Sequence, residues 1–242
     1  MADKVEAKHW VAEKIGEEHI IPTLAVYKRV EDIDFDALPD RFVIKCNHNS
    51  GTGMYICHDK SKMDRKAVIR GLRKGLRENF FNPGREWPYK NVPRRIIVEQ
   101  YMEDTNSPND LKDYKFFCFD GKVKALFIAS DRMTEGAETK FDFFDSEFNH
   151  LPIKNGHPNS TNPITKPQSF DLMKQLASKL SRGIPHVRVD FYEVNGKVYF
   201  GEMTFFHWGG QVPFEPEEWD YKFGEWIHLP QKTYQINAKK KD

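Results

Sequence analysis

The chain has 242 residues, with 37 lysines and arginines against 36 aspartates and glutamates, a formal net charge of +1 and 39% hydrophobic residues. That balance gives no bulk attraction to nucleic acid or to an anionic membrane, and no apolar run approaches the length of a membrane span. Cys46, Cys57 and Cys118 are odd in number, widely spaced and in apolar surroundings, so they predict reduced core thiols of a cytoplasmic protein rather than a disulfide framework. Met1-Ala2-Asp3-Lys4 does not begin a signal peptide, and no histidine falls into a zinc-binding spacing. The length permits a substantial core, as one large domain or as two closely joined lobes.

Taken in order, Lys4 to Ile15 has apolar residues at helical spacing, with Gly16 as the stop. Leu24 to Tyr27 reads as a short strand, and the acidic stretch Asp32 to Asp40 ends in a Leu-Pro-Asp turn. Arg41 to Cys46 is a buried strand carrying Lys45, and a lysine so placed requires an anionic partner. The small-residue loop Asn47-His48-Asn49-Ser50-Gly51-Thr52-Gly53 and the strand Met54 to Cys57 follow. Strand, glycine loop, strand is the layout of a flap whose N–H groups can wrap an anion, or of an ordinary hairpin turn. It is not a Walker loop, since no Lys-Ser or Lys-Thr pair follows and no helix starts there.

Asp64 caps a helix with Val68, Ile69, Leu72 and Leu76 on one face; its basic opposite face reads as a solvated surface. Asn79 to Pro93 is a Pro-, Gly- and aromatic-rich excursion that can be ordered only by stacking. Arg95 to Met102 is the next strand, and Thr105 to Asp110 a polar hinge. Asp113 to Phe119 and Lys122 to Ala129 form a hairpin around Asp120-Gly121; Arg132 follows it, and Lys140 to Asp145 is a further strand. Ser169 caps a helix, Phe170 to Leu180, with Leu172, Leu176, Ala177 and Leu180 expected to face inward. The run Lys239 to Lys241 reads as a solvated tail.

The stretch from His186 to Gly210 reads as two strands around Asn195-Gly196, rich in strand-forming residues and interrupted by Arg188, Asp190 and Glu202. Charges in a half-buried hairpin need partners. A two-residue turn would send Asp190 and Glu202 to opposite faces. A three-residue loop, Val194 to Gly196, pairs Glu193 with Lys197, sets Arg188 opposite Glu202, and keeps Asp190 and Thr204 on that face. The three-residue loop is therefore expected. The hairpin alone fits either a ligand site for metal and phosphate or a ligand-free cluster of arginine and carboxylates.

Buried strand lysine, glycine flap, strand with a glutamate near a hinge, then a lobe closing on Arg-x-Asp and Glu-x-Thr strands: this order resembles the ATP-grasp superfamily. More narrowly, LPDRFVIKCNHNSGTG, REWPYKNVPRRIIVEQYMED, DYKFFCFDGKV and RVDFYEVNGKVYFGEMTF resemble the TupA-like ATP-grasp proteins of bacterial surface-polysaccharide clusters. The resemblance implies an α+β fold in which two lobes with antiparallel sheets clamp ATP, divided as residues 1–40 (N-terminal helix and connecting strand), 41–104 (first lobe with the flap) and 105–242 (second lobe with the metal-binding hairpin). It implies that Lys45 contacts the α- and β-phosphates, that Ser50, Gly51 and Gly53 cover them with N–H groups, and that Glu99, Gln100, Tyr101 and Met102 hold adenine. Asp113 matches a ribose-binding carboxylate and Lys140 a further phosphate contact. Asp190 and Glu202 would bind Mg²⁺, joined by Thr204, which stands where the superfamily usually has Asn. Arg188 would stabilise the transferring phosphoryl group, and Arg132 would grip the acidic substrate.

By that resemblance the chain is an ADP-forming carboxylate–amine ligase working through an acyl phosphate, on an acidic small molecule or sugar acid and an amine. A kinase that stops at phosphoryl transfer is the alternative. Relatives labelled glycosyltransferases offer another, though no paired catalytic carboxylates or sugar-nucleotide signature supports that chemistry. A substrate-binding N-terminal lobe is expected to be missing or reduced to the first helix.

Overall fold

The computed structural model describes residues 1–105, 111–131 and 136–230. Two antiparallel sheets organise it. The four-stranded sheet has the order β1-β4-β2-β3, from β1 (Thr23–Tyr27), β2 (Phe42–Cys46), β3 (Tyr55–Cys57) and β4 (Ile96–Gln100). The six-stranded sheet has the order β10-β9-β5-β6-β7-β8, from β5 (Asp113–Phe119), β6 (Lys122–Ser130), β7 (Lys140–Asp145), β8 (His150–Leu151), β9 (Val187–Val194) and β10 (Lys197–Thr204). Helices α1 (Lys4–Ile15), α2 (Arg65–Arg77), α3 (Phe81–Gly84), α4 (Phe170–Leu180) and α5 (Glu218–Glu225) complete the α+β fold.

The alternation of β5 explains how the larger sheet is covered on both faces. Tyr114, Phe116 and Cys118 join a core with Ala7, Val11 and Ile15 of α1 and Phe170, Met173 and Ala177 of α4. Phe117 and Phe119 face the other way, into a cluster with Phe127, Phe143 and the α5 residues Trp219 and Phe223. The smaller sheet has its own core, in which Phe42, Ile44, Ile96 and Val98 meet Val68 and Leu72 of α2.

Helix α4 buries Leu176, Ala177 and Leu180 as expected, but not Leu172. Leu172 is 42% exposed, while Phe170 and Met173 are buried. The buried set 170, 173, 176, 177 and 180 keeps the helical period but starts two residues earlier than the expected set. Nor does Ser169 cap the helix through its side chain; its N–H donates to the Glu193 carboxylate at 2.9 Å.

Helix α1 ties the two sheets together. Its apolar side belongs to the larger core, but its N-cap Asp3 accepts from Asn47 Nδ2 at 2.8 Å and from Arg95 Nη2 at 2.5 Å, both beside the smaller sheet. None of the helices among the described residues is long and apolar enough to cross a membrane.

Candidate functional site

The β9–β10 hairpin corrects the expected register. Val194 pairs with Lys197 across a two-residue turn in which Asn195 (φ 52°) and Gly196 (φ 75°) both adopt the left-handed conformation that a tight hairpin requires. Left alone, that turn would separate Asp190 from Glu202. The register then shifts between Phe200 and Glu202, at Gly201, so Glu202 faces Asp190 and Thr204 faces Arg188. A bulge inserts one residue and flips every later side chain. Glycine fits there because a Cβ would stand 3.1 Å from the Asp190 carbonyl oxygen. The four polar residues share a face as expected, by a different device and with Glu202 opposite Asp190 rather than Arg188.

On that face they form one network. Arg188 donates to Asp190 Oδ1 at 2.8 Å and Oδ2 at 2.7 Å, to Thr204 Oγ1 at 2.9 Å and to Glu202 Oε1 at 3.4 Å. Lys115, absent from the expected site residues, reaches Asp190 at 2.5 Å and Asp113 at 2.6 Å from the neighbouring strand β5. Burial alone would raise the Asp190 pKa; Arg188 and Lys115 instead hold it below the ordinary carboxylate range. Glu202 is also held low, by Lys115, Lys4 and Arg188 against burial and Asp190.

Arg188 is steered from behind. Its Nη1 lies 2.7 Å from His207 Nδ1, and His207 Nε2 lies 2.8 Å from Asn155 Oδ1. A guanidinium only donates, so Nδ1 must accept and Nε2–H must donate. Asn155 Nδ2 donates to the Val212 and Pro213 carbonyls, both at 3.0 Å, which fixes its amide oxygen toward His207. Burial, with Arg188 and Lys115 nearby, pushes the His207 pKa down to about 2, so the ring stays neutral and remains an acceptor.

A second ionic group occupies the smaller sheet. Glu99 lies 2.6 Å from Lys45 and 2.5 Å from Lys8 of α1, and Lys8 also donates to the Ile21 carbonyl at 2.6 Å. Burial favours a neutral Glu99, but Lys45 and Lys8 overcome it and bring its pKa down to about 2. The anion that Lys45 requires is thus present within the protein, so its burial no longer argues by itself for phosphate. The space between these residues and Glu202 is only about 10 Å³, and seating a triphosphate there requires the sheets to part.

The loop after β2 is more anchored than a free flap. Asn47, His48 and Asn49 are buried; Asn49 donates to Glu78 at 2.7 Å, and Lys4 Nζ donates to the Asn49 carbonyl at 2.7 Å. Gly51 and Gly53 have φ of 82° and 75°, and Gly53 rests on Gly75 of α2, where a Cβ would stand 2.8 Å from the Thr52 carbonyl oxygen. Gln100, Tyr101 and Met102 line a cavity of about 720 Å³ opposite Val194, Asn195 and Tyr199. Asn195 pins its rim, accepting from Thr105 N at 2.9 Å and donating to the Glu103 carbonyl at 3.2 Å.

The remaining expected residues do not all converge. Asp113 is buried against Lys115 and does not line the Gln100–Met102 cavity. Lys140 pairs with Glu138 at 2.8 Å, apart from the Arg188 network. Arg132 and most of the Thr105–Asp110 hinge lie outside the described residues. Among the described residues, no group of three or more His, Cys, Asp or Glu side chains could hold a metal by itself. Asp190, Glu202 and Thr204 nonetheless offer hard oxygens on one face, which suits Mg²⁺ sharing its shell with phosphate rather than a cage made of protein alone.

The family model described as TupA-like ATPgrasp matches residues 1–228, and the chain belongs to that ATP-grasp family. No curated protein matches it. Among solved structures it is similar to the D-alanine–D-alanine ligase of Bacillus anthracis complexed with ATP, at 17% identity and a TM-score of 0.46, covering 84% of this chain and 52% of that one. It is also similar to the ATP-grasp ligase PsnB complexed with minimal precursor, Mg and ADP, at 11% identity and a TM-score of 0.45, covering 84% and 50%. The chain thus spans about half the length of either structure.

Proposed function

We propose that the chain is an ATP-dependent carboxylate–amine ligase that forms ADP through an acyl phosphate, with a sugar acid or other acidic small molecule of bacterial surface-polysaccharide synthesis as its acid. The observation that carries this reading is the Arg188–Asp190–Glu202–Thr204 face, with Lys115 behind it and Lys4 beside it. Family membership supports ATP as the phosphoryl donor.

A substrate carboxylate oxygen would attack the γ-phosphorus as the bond to ADP breaks, and an amine would then displace phosphate from the acyl carbon and lose a proton. Arg188 supplies fixed donors to the oxygens that gain charge, already oriented by His207 and Asn155. Asp190, Glu202 and Thr204 would hold Mg²⁺, which when bound neutralises phosphate charge. Lys115 and Lys4 would balance what remains, and Lys45 and the Ser50–Gly53 loop would cover the polyphosphate. Lys115, Arg188 and Asp190 must exchange partners as the nucleotide enters, because Asp190 now has donors at both oxygens. Gln100 to Met102 would receive adenine in the larger cavity.

The test is ADP release with Mg²⁺ over a panel of sugar acids and amino acids, with hydroxylamine as a general trap. A ligase gives acid-dependent ADP together with a hydroxamate. Acid-dependent ADP with a stable phosphorylated product and no hydroxamate would mean a kinase.

A further inference from the structure

None of the residues assigned above to the nucleotide lies in the excursion from Asn79 to Pro93, yet aromatic contacts order it. Phe80 meets Tyr89 edge to face at 4.8 Å, Phe81 meets Trp87 at 6.1 Å, and Lys90 lies 4.1 Å from the centre of the Trp87 ring. So folded, it presents Phe80, Glu86 and Tyr89 to a cavity of about 400 Å³, which also reaches Arg188, Glu202 and Trp208.

Glu86 is the unusual group there. It is half-buried, and its carboxylate makes no hydrogen bond or ion pair among the described residues. The basic neighbours are turned elsewhere, Arg85 over Phe81 at 5.6 Å and Lys90 over Trp87. One carboxylate oxygen reaches across to the opposite wall, 3.8 Å from where a Cβ on Gly209 would stand. Desolvation raises its pKa with no cation to oppose it. A partly desolvated carboxylate without a partner costs free energy that an arriving cation would return.

The opposite wall adds a second observation. Trp208 has φ 51°, a left-handed conformation that a bulky aromatic residue rarely adopts, and the residue is 42% exposed. Its ring is held against Gly156, where a Cβ would stand 3.3 Å from the indole, and such strained positions cluster at ligand sites. The charges are also divided: Arg188, Lys115 and Glu202 adjoin the proposed phosphoryl site, while Glu86 stands among rings. Tyr89 connects the two ends, its phenol held high by burial and by both Glu202 and Glu86.

We propose that Glu86, which shares a cavity with Phe80, Tyr89 and Trp208, receives the ammonium group of a primary-amine substrate carrying an apolar or ring-shaped body. The carboxylate supplies the ionic contact, and the ring faces supply cation–π attraction and apolar cover. The inference deepens the ligase reading and rests on it for the role of the amine. Binding itself can be measured without turnover.

The experiment titrates the full chain with n-butylammonium chloride and, separately, with 1-butanol as the neutral probe of like shape, following the Trp208 indole N–H by NMR. The expected result is a saturable shift with n-butylammonium and a much weaker one with 1-butanol. In Glu86→Gln the ammonium should bind about tenfold more weakly, the scale of one charge-assisted hydrogen bond, with unchanged thermal unfolding. No saturable ammonium binding, equal binding in Glu86→Gln, or equal binding of 1-butanol would each overturn the proposal. Hydroxylamine trapping separates the two readings. Glu86-dependent ammonium binding without a hydroxamate from any acid defeats the ligase and leaves the ammonium site, whereas a hydroxamate without that binding does the reverse.

Discussion

In the smaller sheet, Glu99 is 4% exposed and enclosed by Lys8 and Lys45, with almost no space around it. In the larger sheet, Asp190 is as deeply buried against Arg188 and Lys115, but Glu202 beside it has a side chain 41% exposed toward a cavity of about 400 Å³. Both groups join lysine to carboxylate on neighbouring strands. One is closed and self-satisfied as it stands, with Lys8 of α1 and Lys45 both paired to Glu99, and Lys45 would have to leave that pair to reach a phosphate. The other sets the part-exposed Glu202 carboxylate and the Arg188 guanidinium on the wall of an open cavity, where the proposed Mg²⁺ and phosphate would enter. A buried lysine is thus weak ground for inferring a ligand until its partners are counted.

The contrast can be broken by stability. Glu99→Gln strands the buried Lys8 and the half-buried Lys45 ammonium groups, and the unfolding free energy should fall by about 3–5 kcal/mol, read from urea denaturation. Glu202→Gln should cost less than about 1 kcal/mol in the same experiment; a comparable loss would erase the distinction. Activity should rank the other way. Arg188→Ala should slow acid-dependent ADP release by about 10²–10³-fold, the effect of removing one preorganised donor to developing charge.

Acid sharpens the comparison further. The folded-state pKa of Glu99, about 2, lies below the usual 4.5, so its stabilisation is present above pH 4.5 and is lost as the pH falls toward 2. That loss amounts to about 3 kcal/mol and should vanish from the acid-unfolding profile of Glu99→Gln. His207, held at about 2 against an ordinary 6.5, adds a loss that starts below pH 6.5, because the unfolded chain takes up its proton first. The smallest effect is expected at Asn155. Asn155→Asp should raise the His207 pKa by setting a carboxylate against Nε2–H, visible as a changed ring ¹⁵N pattern; a neutral ring in the unaltered chain with its proton on Nδ1 rather than Nε2 would remove His207 from the positioning of Arg188.

Much of this was legible in the sequence, for reasons that particular residues illustrate. Alternating aromatic residues and the Asp120-Gly121 turn gave β5 its exact limits, Asp113 to Phe119. The polar residues of the hairpin could be placed on one face, but not by the right route: the Asn195-Gly196 turn follows from local chemistry, whereas the bulge becomes apparent only once Gly201 is treated as an interruption in a strand. Lys115 carried the same signal as Lys45, a lysine inside an apolar strand, and could have been found by the same argument. Lys4, Lys8, Asn155 and His207 had no such signal. They lie on a short helix or in irregular segments, and only the packing of α1 between the sheets and the path of the 155–213 chain bring them to the site.

The central claim is that Asp190 and Glu202 together form the Mg²⁺-nucleotide face. Its most direct test is the binding of the non-hydrolysable analogue AMP-PNP, with and without Mg²⁺, to the unaltered chain, to Asp190→Asn and to Glu202→Gln, with folding checked in each. The account predicts tighter binding with Mg²⁺ for the unaltered chain, and loss of that dependence with at least about tenfold weaker binding in both variants. Folded variants that bind Mg²⁺ and nucleotide as the unaltered chain does would contradict it.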